Sequence, residues 1–124
     1  MRAGDAFLIR DKNIDEHLWV IISDPTIDGK QVVVVNFTTS HPKKERFCLI
    51  QAGEHPFVTR ETCIAYNFAK ITSLAKLIQN RDQGDITPQD PVSPVLLTRI
   101  RQGVPLSNLM PLKCVAIMAK QKLF

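Results

Sequence analysis

The sequence predicts an α+β domain, a small antiparallel β-barrel with two to three helices, mostly C-terminal. Three observations predict it. Short runs of β-branched and aromatic residues, parted by turn residues, fill the first two-thirds. The hydrophobic period then becomes helical. At 124 residues and 44% hydrophobic, the chain has the length for one core. A single domain over 1–124 is expected, with the barrel at about 4–72 and the helical part at about 73–122.

AFLIR (6–10) opens as a short strand and HLWVIIS (17–23) follows as a longer one. Asp24-Pro25 stops it, and Ile27-Asp28-Gly29-Lys30 turns the chain, with Gly29 free to take positive φ. QVVVVNFTT (31–39) returns as the antiparallel partner. RFCLIQ (46–51) comes next, Ala52-Gly53 turns, and HPFV (55–58) resumes an extended path. CIAYNF (63–68) and the stretch near Lys70–Ile71 complete the β part.

The helices carry their own signals. Ser73 is an N-cap, with Leu74, Leu77 and Ile78 on one face and Gly84 near the end. Ser93 caps a second helix, with Pro94 at the first position, Leu96, Leu97 and Ile100 as its stripe, and Gly103 after the last turn. A third starts around Ser107–Pro111, and the stretch 82–92 reads as a loop.

Composition narrows the function. The net charge is +4, unevenly spread: residues 1–40 hold four basic and six acidic residues, residues 41–81 seven and three, residues 82–124 five and three. The positive middle follows directly on the valine strand and fits an anionic partner such as nucleic acid. Cys48, Cys63 and Cys114 show no CxxC spacing and read as reduced apolar residues of a cytoplasmic protein. Three His and three Cys, none closely paired, argue against a metal site, and no cofactor is expected. No apolar run approaches membrane-spanning length, and MRAGDAFLIRDKN carries no leader-like apolar stretch, so no membrane is expected.

HLWVIIS followed by VVVVNFTTS resembles the paired central strands of PemK/MazF/Kid-like toxins. In that family a Gly-Asp opens the first strand, a strand of the type RPxLVLS follows, and the next ends in xxTTxxxK. Here Gly4-Asp5, His17 to Ser23, and Phe37-Thr38-Thr39 take those places. GEHPFVTRETCIAYNFAKITSL resembles the later PF…SxVxxDQxxxI stretch, with Ala65-Tyr66-Asn67 in the Asp-Gln slot. The likeness covers about residues 4–75. It implies an SH3-like barrel, a homodimer, metal-independent cleavage of single-stranded RNA, and neutralisation by an antitoxin protein. The family's catalytic Arg and Thr fall on His17 and Thr38, so a switchable cation stands where the family has a permanent one.

RNA transphosphorylation uses the 2′-hydroxyl as nucleophile. It needs a base, an acid and stabilisation of a charged phosphorane. His17 reads as general acid or phosphate-binding cation, or as a solvated histidine before a strand; Asp15, two residues back, could share its face. Thr38 and Thr39 point to opposite faces; one could donate to a phosphate, or both are ordinary strand threonines. Lys43 and Lys44 suit phosphate neutralisation, or are a solvated charge run. His55 could place a second imidazole at the groove or be a turn residue beside a core Phe57. Arg60 is a candidate replacement for the missing Arg. Tyr66 and Asn67 could stack on and hydrogen-bond a splayed base, or Tyr66 could pack with its hydroxyl at the surface. Trp19 reads as core, and Arg99 and Arg101 as a solvated face. The competing function class is a non-catalytic module on the same barrel, binding RNA or a protein.

Overall fold

The computed structural model describes residues 1–9 and 16–124. The expectations for Arg10 and Asp15 lie outside the described residues. Six antiparallel strands form one curled sheet, a half-barrel, in the order β4-β5-β3-β2-β1-β6. They are β1 (Ala6–Ile9), β2 (Leu18–Ile21), β3 (Gln31–Thr39), β4 (Leu49–Ile50), β5 (Thr62–Ser73) and β6 (Ile86–Gln89). Three helices accompany them, α1 (Leu74–Asp82), α2 (Pro94–Gly103) and α3 (Leu112–Lys120), with a 3-10 turn at Val104–Leu106.

Side-chain alternation along the strands sorts apolar residues into two cores. Leu18, Val20, Val33, Val35, Phe37 and Ile64 pack with Leu96 and Ile100 of α2 and Cys114 and Met118 of α3. Phe7, Ile21, Val32 and Val34 pack on the other face with Leu77 of α1 and Ile86 of β6. Each such side chain, fully buried, contributes about 1.5–3 kcal/mol. The capping serines act as expected: Ser73 Oγ accepts from the Lys76 amide and Ser93 Oγ from the Leu96 amide, with Pro94 opening α2.

Several expectations are corrected. The stretch 82–92 is not all loop, because β6 lies within it and pairs with β1. Pro88 fits there because β6 is a sheet edge, where one row of amides needs no partner. HPFV is a turn rather than an extended segment. Gly29 does not take positive φ, whereas Gly4, Gly53 and Gly84 do. Instead Asp28 Oδ1 accepts from the Lys30 and Gln31 amides and closes the turn.

The arginines of α2 are not a solvated face. Arg101 Nε donates to the Ile22 carbonyl at 2.9 Å, and Arg99 donates to Glu54 and to the Leu49 carbonyl. Both thus tie α2 to the sheet. All three cysteines are buried free thiols, and burial pushes the Cys48 thiol up to about 11.

Candidate functional site

The β2–β3 ladder places the site. It pairs Trp19 with Asn36 and Val20 with Val35. Carried back to the residue just before β2, that register sets His17 across from Thr38, so both face the same way. The ring is fixed there because His17 Nδ1 donates to the Phe37 carbonyl at 3.1 Å. A carbonyl only accepts, so Nδ1 donates and Nε2 is the nitrogen left to meet a ligand. Nε2 has no hydrogen-bond partner among the described residues.

His17 and Thr38 line one open pocket of about 660 Å³. Thr39, Lys44 and Arg60 line it too, with Glu16 and Phe57. Lys44 bends back from the β3–β4 loop, and its Nζ donates to Thr38 Oγ1 at 2.8 Å and to the Thr39 carbonyl at 2.9 Å. Two of the three ammonium protons are then spent and one remains. Thr38 Oγ1, accepting from Lys44, keeps its own O–H to donate. The pocket therefore combines an imidazole, an oriented hydroxyl donor and two cations, groups able to hold an oxyanion, with the Glu16 carboxylate beside them.

A second cavity of about 180 Å³ adjoins the first and shares Thr38 and Lys44 with it. Lys43 and Asn67 line this second cavity, as do Phe68 and Leu109.

Two expected site residues fall elsewhere. His55 is buried; its Nε2 donates to the Asp90 carbonyl at 2.6 Å and its Nδ1 accepts from the Phe57 amide. Both nitrogens are occupied, so the ring staples the β4–β5 connection to the segment before α2 and faces no groove. Tyr66 is fully buried, and its hydroxyl donates to the Ile100 carbonyl at 2.6 Å. That carbonyl belongs to the last turn of α2, where helical partners run out. Burial pushes the phenol's pKa upward. Tyr66 can neither stack on a base nor place its hydroxyl at the surface. Trp19 is only half-buried, and Lys70 Nζ sits 4.5 Å from its ring centroid.

Sequence reasoning offered a core Phe57 as one alternative and passed over Thr59 and Thr62, yet all three line the first pocket. The signal was the HPFVTRET stretch itself, in which turn residues bring a polar run to the start of β5. Among the described residues no group of three His, Cys, Asp or Glu is placed to hold a metal ion. No described helix is long and apolar enough to cross a membrane. No protein-family model matches the chain, and no curated protein matches it.

Proposed function

We propose that the chain is a metal-independent endoribonuclease that cleaves single-stranded RNA by internal transphosphorylation. The observation that carries this reading is the His17 ring, tethered through Nδ1 in a pocket shared with the Thr38–Lys44 pair and Arg60, with Nε2 bonded to none of the described residues. The 2′-hydroxyl oxygen forms the new bond to phosphorus and the bond to the 5′-oxygen breaks. Glu16, on the same pocket, is the carboxylate available to take the 2′-proton. His17, protonated at Nε2, gives a proton to the departing 5′-oxygen. Thr38 Oγ–H, Lys44 and Arg60 stabilise the phosphorane, and Arg60 with Lys44 supplies the permanent charge that His17 lacks.

The resemblance of residues 4–75 to PemK/MazF/Kid-like toxins extends the proposal. The chain would be the toxin of a toxin–antitoxin pair, cytoplasmic, acting as an SH3-like homodimer and silenced by an antitoxin protein.

The test is to incubate the purified chain with unstructured RNA in EDTA and map the product ends. Ends bearing 2′,3′-cyclic phosphate and 5′-hydroxyl are expected, with a loss of roughly 10²–10⁴-fold in His17→Ala. Intact RNA, or cleavage unchanged in His17→Ala, would refute the reading.

A further inference from the structure

The β3–β5 ladder carries a large irregularity beside the pocket. Val34 pairs with Lys70 and Asn36 pairs with Ala65. One residue of β3, Val35, therefore opposes Tyr66, Asn67, Phe68 and Ala69 of β5. Such bulges re-aim side chains, often next to functional sites. Here Tyr66 and Ala69 turn inward and are buried, while Asn67 and Phe68 turn out. Phe68 is 62% exposed.

The bulge sets this exposed ring at the edge of the second cavity. Leu109 supplies a second apolar wall, and Lys43 and Lys44 stand at the same cavity. Glu45 also lines it, and its carboxylate is held in place: it accepts from Ser107 Oγ at 2.6 Å and from the Asn108 amide at 2.8 Å. That pair of bonds fixes the loop carrying Leu109 to the β3–β4 connection. The cavity thus offers an aromatic face, an amide with two donors and an acceptor, and two lysines against one carboxylate. It meets the first pocket at Thr38 and Lys44.

From this we infer that Phe68 and Asn67 form a nucleobase subsite, taking the base next to the phosphate held at Thr38 and Lys44. The inference rests on the RNA-cleaving reading of the adjoining pocket. Phe68 stacks on the base, Asn67 reads its hydrogen-bonding edge, and Lys43 meets the neighbouring phosphate. Phe68 takes the stacking role that was one of two alternatives for Tyr66, and Asn67 becomes the residue that sets base preference.

The test uses fluorescence anisotropy with two probes, a 2′-O-methylated RNA oligonucleotide of mixed sequence, which cannot be cut, and an abasic oligonucleotide of equal length. Phe68→Ala should weaken binding of the base-bearing probe by about tenfold and leave the abasic probe unchanged; Phe68→Trp should restore it. Asn67→Ala should flatten the base preference at one position of the cleavage map. Wild-type binding of the base-bearing probe that Phe68→Ala leaves intact would overturn the subsite and give this surface to a protein partner. Wild-type binding with the expected Phe68 dependence, but no cutting, would uphold the subsite and end the nuclease reading. A chain that binds neither probe would overturn both.

Discussion

The rim around His17 and the seam around His55 use the same side-chain types to opposite ends. At the rim, His17 has one ring nitrogen engaged, and Thr38 and Lys44 each keep a proton to donate after bonding one another. At the seam, His55 has both nitrogens engaged, Tyr66 has spent its hydroxyl on Ile100, and Arg99 is held by Glu54 and the Leu49 carbonyl. Seam groups are paired across long stretches of sequence and hold the helices to the sheet. Rim groups are oriented but unsaturated. Spare hydrogen-bonding capacity on a fixed side chain, more than residue type, separates a candidate for chemistry from a structural staple.

The largest expected effect that breaks the two regions apart is at the rim. Lys44→Met should lower RNA cleavage by roughly 10²–10³-fold while leaving the urea midpoint within error, because Lys44 is exposed. Next is the seam histidine. His55→Ala orphans the Asp90 carbonyl and the Phe57 amide and should cost about 2–3 kcal/mol in urea unfolding, with cleavage per folded molecule unchanged. Tyr66→Phe should cost about 1 kcal/mol by the same measurement, since only the bond to Ile100 is lost and the ring still fills its site.

The smallest effect is with pH. The hydrogen bond from Arg99 holds the Glu54 carboxyl below the usual range. Its contribution is full above the unfolded value near ~4.3 and is lost as pH falls through the lowered folded value. Both partners are about a third exposed, so the acid-side slope should be shallow, and Arg99→Met should flatten it.

Much of the rim was legible and little of the seam. The strand pair, its turn and the serine caps follow from local pattern, and the strand-pair motifs brought His17 and Thr38 together. Lys44 was visible as charge, but its bond to Thr38 was not, because a lysine tail is placed by tertiary space. β6 was hidden by Thr87, Pro88 and Gln89, which weaken any strand pattern, and by a partner strand far back in the chain. Tyr66 stays inward with Ile64, as alternation demands, but the Ile100 carbonyl that takes its hydroxyl comes from a helix far along the chain and was not legible. Beyond Tyr66 a bulge in β5 breaks the alternation. The same bulge exposed Phe68, which periodicity alone leaves in the core. Gly103 shows what the seam demands: a Cβ there would lie 2.0 Å from the Tyr66 hydroxyl, so α2 can approach the sheet only with glycine at that point.

The central claim is that His17 and Thr38 act on one phosphodiester, and a double-mutant cycle on RNA cleavage tests it most directly. We expect kcat/KM to fall in His17→Ala and in Thr38→Val, and to fall little further in the double variant, because groups serving one transition state lose their effects together. Losses that multiply across the cycle would show two separate sites and contradict the account, as would either single variant cutting RNA at the wild-type rate.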